Sequence, residues 1–90
     1  MSNKYTEVSD VKEHVGKLIL QQIEANGWYQ RQAASVIGVS QPRLSALYNG
    51  KYSHFSLDKL LEIAKKVSVN VEIIVTNEII VTNEDSDNAQ

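Results

Sequence analysis

The stretch QRQAASVIGVSQPRLSALYNG, residues 30–50, decides the fold of this 90-residue chain. Its apolar positions predict two short helices, one from Gln30 to Ile37 and one from Gln41 to about Tyr48. Gly38 closes the first helix and Asn49-Gly50 closes the second. Two short helices joined by a turn of three or four residues that contains glycine form a helix-turn-helix, so this motif is the predicted centre of the fold.

The spacing inside the stretch meets the packing demands of that motif. Ala34 is small where the second helix crosses closest, and Gly38 permits the positive φ that the turn requires. We expect Leu44, Leu47 and Tyr48 to share the face of the second helix that packs against the first. The same spacing also occurs in helical hairpins that serve packing alone, so the evidence for a function must come from the surface.

Further helices are predicted on both sides of the motif. Asp10 and Glu13 form a capping-box pattern that opens a helix from about Val11 to Ala25. Ser56 is the expected N-cap of a last helix. Its predicted buried face consists of Leu57, Leu60, Leu61, Ala64 and Val67. Together these patterns predict an all-α helix-turn-helix domain of four to five helices in residues 9–68.

The C-terminal part of the chain contains a tandem repeat with the two-residue period of a β-strand. The hexapeptide EIIVTN stands at residues 72–77 and again, unchanged, at residues 78–83. Because six is an even number, Ile79 and Val81 are expected to lie on the same face as their counterparts Ile73 and Val75. Either one long strand or a hairpin that folds back at Thr76-Asn77 satisfies this pattern.

Residues 69–83 are therefore expected to form a C-terminal strand or hairpin, and we expect it to mediate dimerisation. An isolated apolar strand leaves backbone groups unpaired and invites pairing with another chain. The residues expected to pair with a second subunit are Val69, Val71, Ile73 and Val75. The alternative is that the segment folds back on the helices of its own chain. Residues 1–8 show no periodicity and are expected to be flexible, and residues 84–90 are expected to form a disordered acidic tail.

The composition argues against several classes of protein. The chain contains no Cys, and its two His residues, His14 and His54, have no partner at metal-ligand spacing. No phosphate-binding loop, nucleophile motif or paired carboxylates are present, so we expect neither an enzyme nor a cofactor. The longest apolar run is too short to cross a bilayer, and the first residues do not resemble a secretion signal. A cytoplasmic protein is expected.

The charge is distributed unevenly along the chain. The formal net charge is −2, which by itself does not favour DNA. However, residues 26–67 contain six basic and two acidic residues, whereas residues 68–90 contain five acidic and no basic residues. A basic central segment followed by an acidic end indicates a charged partner, and double-stranded DNA is such a partner for the basic segment.

The face of the second helix opposite its buried face is the predicted reading surface for DNA. The residues expected to contact bases in the major groove are Gln41, Pro42, Arg43, Ser45, Ala46 and Asn49. The residues expected to contact phosphates are Gln30, Lys51, Tyr52 and Ser53. Glutamine pairs with adenine and arginine with guanine through two hydrogen bonds each, and small apolar groups contact the thymine methyl group.

Residues 30–50 resemble the helix-turn-helix of the phage-repressor-like Cro/CI (XRE) family. With the following KYSHFSLDKLLEIAKKVSVNVEIIV, the chain is similar to the short HigA-type antitoxins and related regulators. This resemblance implies a lambda-repressor-like helical core, a homodimer on a palindromic operator, and repression of an operon shared with a toxin gene. It also implies an alternative main role, the neutralisation of a small RelE-like toxin. The duplicated hexapeptide departs from the family pattern, which has a single short apolar strand.

Overall fold

The computed structural model describes residues 2–84, in which four α-helices precede an antiparallel hairpin. The elements are β1 (Ser2–Tyr5), α1 (Val8–Ala25), α2 (Gln30–Ile37), α3 (Gln41–Tyr48), a 3-10 turn (Tyr52–His54), α4 (Leu57–Lys66), β2 (Asn70–Val75) and β3 (Ile79–Glu84). The predicted helix-turn-helix is confirmed, because α2 and α3 occupy the predicted ranges and pack against each other. None of the helices in these residues is long and apolar enough to cross a membrane.

Local capping residues define the ends of the helices around the motif. Gly38 has a φ of 74°, so it ends α2 in the left-handed conformation that the turn requires. The Ser40 hydroxyl accepts a hydrogen bond from the Arg43 backbone N–H at 3.3 Å, and Ser56 caps α4 in the same way, with the Lys59 N–H at 3.0 Å. These caps depend on neighbouring residues only, which explains why the sequence predicts the ends well.

Helix α1 begins earlier than the capping pattern predicts. It starts at Val8, its N-cap is Glu7 in an extended conformation, and no side chain caps it. Asp10 therefore lies in the first turn, where its negative charge is favourable for the helix dipole, and does not cap the helix. The predicted apolar stripe is present and fully buried at Val11, Val15, Ile19 and Ile23.

The core draws on every helix and on one strand. Its largest fully buried side chains include Phe55, Ile37, Leu44, Leu47 and Leu60, together with the stripe of α1. Val81 of β3 belongs to the same cluster and is 0% exposed. Phe55 is 1% exposed, although its position just before α4 falls outside every periodic pattern of the sequence.

The repeated hexapeptide forms a hairpin and not one long strand. The strands β2 and β3 pair antiparallel, with Ile73 opposite Val81 and Val75 opposite Ile79, so the four residues share one face as predicted. The turn is held by Thr76, whose N–H donates to the Glu78 carbonyl oxygen at 2.8 Å. The second copy thus continues the alternation of the first, but it runs in the opposite direction beside it.

The N-terminus differs from the expectation of a flexible segment. Strand β1 pairs antiparallel with β3 from Ser2 opposite Thr82 to Tyr5 opposite Ile79, which gives the sheet order β1-β3-β2. The Tyr5 hydroxyl also hydrogen bonds to Nδ1 of His14 in α1, and burial lowers the pKa of His14. A strand of four residues is too short to show a period, so only its tertiary partner reveals it. Of the predicted acidic tail, Glu84 ends β3 and residues 85–90 lie outside the described residues.

Candidate nucleic-acid interface

The first turn of α3 presents a compact set of exposed side chains. Gln41, Pro42 and Arg43 are exposed, whereas Leu44 and Leu47 on the opposite side are fully buried. Pro42 is tolerated because the first turn of a helix lacks intrahelical partners for its N–H groups. The remaining predicted base contacts divide into exposed Asn49 at the C-cap and the half-buried Ser45 and Ala46. The exposed part of the predicted base-contacting surface is therefore concentrated at the N-terminal end of α3.

The guanidinium group of Arg43 lies over the ring of Phe55. Its central carbon is 4.6 Å from the ring centroid, which is the geometry of a cation–π contact. Stacking uses the flat face of the guanidinium group and leaves the N–H groups at its edge free for hydrogen bonds. The buried Phe55 ring is thus a platform that restricts Arg43 before any ligand is present. The predicted motif did not include this contact, since its two residues lie in different elements.

Three of the four predicted phosphate contacts are exposed, and the fourth, Tyr52, is half-buried. Gln30 is exposed at the start of α2, and Lys51 and Ser53 are exposed in the loop after α3. Tyr52 is half-buried, and its ring packs against α1. A Cβ atom placed on Gly16 would clash with Cδ1 of that ring, so the glycine makes room for it. The ring of Tyr52 therefore anchors the loop that carries Lys51 and Ser53.

We expect Gly16→Ala to lower the free energy of unfolding by about 1 to 2 kcal/mol, because the Tyr52 ring must move. The same change in a Tyr52→Ala background is expected to raise the free energy of unfolding by about 0.5 to 1 kcal/mol, since alanine favours a helix more than glycine does. Urea unfolding of the four proteins of this cycle measures both values. Equal effects in the two backgrounds would contradict the contact.

Tyr48 does not belong to the buried face on which the sequence places it. It is 39% exposed, and it lies in a shallow groove beside Trp28 and Glu24, at the C-terminal end of α1. Partial burial raises the pKa of the Tyr48 hydroxyl, and the nearby Glu24 carboxylate raises it further by a smaller amount. Tyr48 follows Leu47 directly and is rotated by about 100° around the helix axis. It therefore lies at the edge of the contact between α3 and α2, not inside it.

The electrostatics of this side of the molecule favour an anionic partner. No Asp or Glu occurs between Glu24 and Asp58, a segment that contains α2, α3 and the following loop. Arg31, Arg43 and Lys51 lie in this segment, and none of them forms an ion pair within residues 2–84. Their charges are therefore not neutralised by the protein itself and are available to phosphates.

Tyr29 is an exposed aromatic residue that the sequence analysis did not assign to the surface. It is the N-cap of α2 and is 83% exposed. It lines a shallow groove with Arg31, Gln32 and Gln41, which joins the outer face of α2 to the start of α3. The candidate interface thus extends from α3 along α2.

The comparison with protein families agrees with this geometry. The family model described as "Helix-turn-helix domain" matches residues 1–76, which is most of the chain. The protein therefore belongs to this helix-turn-helix family, and membership supports a DNA-binding regulator. No curated protein matches the chain closely. The family match ends within the first copy of the hexapeptide, so all of β3 lies beyond it.

Proposed function

We propose that this protein is a sequence-specific transcriptional repressor that binds a palindromic operator as a homodimer in the cytoplasm. The observation that carries the proposal is the acid-free surface formed by α2, α3 and the following loop, with exposed hydrogen-bonding side chains at its centre. An α-helix fits the major groove of B-DNA, and the second helix of a helix-turn-helix is the one that enters it.

In this arrangement, α3 reads bases mainly with its first turn. Gln41 pairs with adenine, and Arg43, restricted by the Phe55 ring, donates to guanine or to a phosphate. Pro42 and Ala46 contact thymine methyl groups, while Ser45 and Asn49 add hydrogen bonds at the flanks. The half-buried positions of Ser45 and Ala46 limit them to the edge of the contact. One α3 helix therefore reads few bases.

Contacts to the phosphates place the helix in the groove. Gln30 and the free N–H groups at the start of α2 face one strand, and Lys51 and Ser53 face the other side of the groove. The few bases read by each α3 helix favour a dimer, which doubles the number read. Two half-sites about one helical turn apart, roughly 34 to 36 Å, are the expected operator geometry.

A second candidate function is that of an antitoxin whose main action is to bind a small RelE-like toxin. The resemblance of residues 30–75 to HigA-type antitoxins supports it, and so does the separation of the charges, since the acidic residues of the C-terminal sheet lie outside the basic DNA surface. Under this proposal, DNA binding represses an operon that encodes both partners. Footprinting on the chain's own promoter, with and without the product of the neighbouring gene, tests both functions.

Arg43→Ala is expected to weaken operator binding by about 1 to 3 kcal/mol if the side chain reads a base. The same loss on random DNA would show that Arg43 contacts a phosphate instead. Lys4→Ala is the control, because Lys4 is an exposed basic residue on the sheet and outside the candidate interface. Fluorescence anisotropy at a fixed salt concentration measures the three affinities. If Arg43→Ala binds both DNAs as the unchanged protein does, α3 is not the reading helix.

A further inference from the structure

A shallow groove lined by two aromatic residues lies beside the C-terminal ends of α1 and α3. Trp28 follows the end of α1, and Tyr48 is the last residue of α3. Glu24 and Leu20 of α1 line the same groove. The candidate DNA interface uses none of these four side chains, so the groove is a separate part of the surface. Its other lining residues are Lys17 and Gln21.

Within residues 2–84, the rings of Trp28 and Tyr48 neither stack on another ring nor lie beneath a cationic side chain. Trp28 is half-buried and packs against the core, whereas Tyr48 is the more exposed of the two. The face of an aromatic ring is electron-rich, so it attracts a cation placed over it, and tryptophan does so most strongly. The groove therefore contains two rings that can each contact a cation.

The charges around the two rings favour a cation as well. After partial burial, the Glu24 carboxylate is the second cause that raises the pKa of the Tyr48 hydroxyl, so these two groups lie close together. Glu24 forms no ion pair within the described residues, whereas Lys17 is already paired with Glu13 at 2.8 Å. The C-terminal end of a helix carries a partial negative charge, and neither α1 nor α3 has a basic residue in its last turn.

The lining of the groove indicates which kind of cation fits. A metal ion needs several oxygen ligands, whereas the groove has one carboxylate, and no group of side chains within residues 2–84 could hold a metal. A bare ammonium group is strongly hydrated and loses part of that hydration against a ring. An alkylated ammonium group, by contrast, can pack its apolar carbon atoms against Trp28, Tyr48 and Leu20 while its charge stays near Glu24.

We propose that this groove is a binding site for a small organic cation with an alkylated ammonium group, which Trp28, Tyr48 and Glu24 hold together. The group lies against the two rings, and its charge faces the carboxylate. The site goes beyond the proposed function and does not depend on it, because none of its residues is among the predicted DNA contacts. It gives the protein a place for a ligand at the end of α3 that is opposite to its first turn.

Titration with choline chloride tests the site through the fluorescence of Trp28, the only tryptophan of the chain. We expect a saturable change in emission with a Kd of about 1 to 10 mM, since the contacts are few and the groove is open. A neutral analogue of choline, in which a tert-butyl group replaces the trimethylammonium group, has the same shape but should bind about tenfold more weakly. Sodium chloride and ammonium chloride at equal ionic strength should cause no saturable change.

Glu24→Gln and Tyr48→Leu are each expected to raise the Kd for choline about threefold to fivefold, because each removes one of the attractive groups. Glu72→Gln and Tyr29→Leu are the matched controls, since they remove a carboxylate and an exposed tyrosine from two other grooves. Both controls should leave the Kd unchanged, and circular dichroism verifies that every variant is folded.

Three results would overturn the proposed site. They are no saturable change with choline, equal binding of choline and its neutral analogue, and a Kd that neither Glu24→Gln nor Tyr48→Leu alters. Operator binding is measured in parallel without choline. A protein that binds the operator but not choline contradicts the cation site only, whereas one that binds choline but no DNA contradicts the proposed function only.

Discussion

Phe55→Ala is expected to lower the free energy of unfolding by about 3 to 5 kcal/mol, the usual range for removing a buried phenylalanine ring. The ring is 1% exposed and belongs to the core cluster that contains residues of all four helices. Its removal leaves a cavity beneath the candidate DNA-binding surface, between the 3-10 turn and α4. Because small domains are stabilised by only about 5 to 15 kcal/mol, urea unfolding should show a large fall in the midpoint concentration.

Phe55→Leu distinguishes the contact of Phe55 with Arg43 from the contribution of Phe55 to the stability of the core. Leucine fills much of the space, so we expect a loss of only about 1 kcal/mol in the free energy of unfolding. It removes the aromatic face, however, and the guanidinium group of Arg43 loses its cation–π contact. Operator affinity should fall in Phe55→Leu, but Phe55→Leu should have no further effect in an Arg43→Ala background. A loss of affinity that persists in that background would show that Phe55 acts by another route.

Val81→Asp is expected to lower the free energy of unfolding by about 3 to 5 kcal/mol, because it places an unpaired charge inside the core. Val81 is 0% exposed, in the middle of the central strand, with Asn3 and Ile73 on its two sides. The second copy of the hexapeptide thus supplies a core residue and joins β1 to β2. Thermal and urea unfolding followed by circular dichroism measure the loss.

Ile80→Asp is the matched control for this prediction. Ile80 is the preceding residue of the same strand, but it lies half-buried on the outer face, between Lys4 and Ile74. The nearby lysine is a favourable neighbour for a carboxylate, so we expect a loss of at most about 1 kcal/mol. If Ile80→Asp proves as destabilising as Val81→Asp, the two residues cannot lie on opposite faces, and the register of the hairpin must differ.

The helices could be predicted from the sequence because their determinants are local. The bounds of α2, α3 and α4 follow from Gly38, Ser40 and Ser56, each of which acts on neighbouring backbone groups. The start of α1 was misplaced because Asp10 and Glu13 resemble a capping box, whereas the helix begins at Val8 without a side-chain cap. A capping pattern therefore indicates that a helix begins nearby, but it does not fix the first residue of the helix.

The candidate interface could be predicted in composition but not in geometry. A step of about 100° per residue correctly predicts that Gln41 and Arg43 are exposed and that Leu44 is buried. It says nothing about the contact of Arg43 with Phe55 or of Tyr52 with Gly16, because those partners are distant in the sequence. Such contacts determine which polar side chains are held in place and which are used for packing.

The sequence by itself determined the helix-turn-helix, the acid-free surface and the alternation of the repeated hexapeptide. All three depend on periodicity and on residue type, which are properties of a chain segment alone. Only the tertiary structure decided that the repeat turns back at Thr76, that its second copy is the central strand, and that Ser2–Tyr5 completes the sheet. The physical reason is that the backbone bonds of a strand are made with another strand, whose identity no local pattern contains.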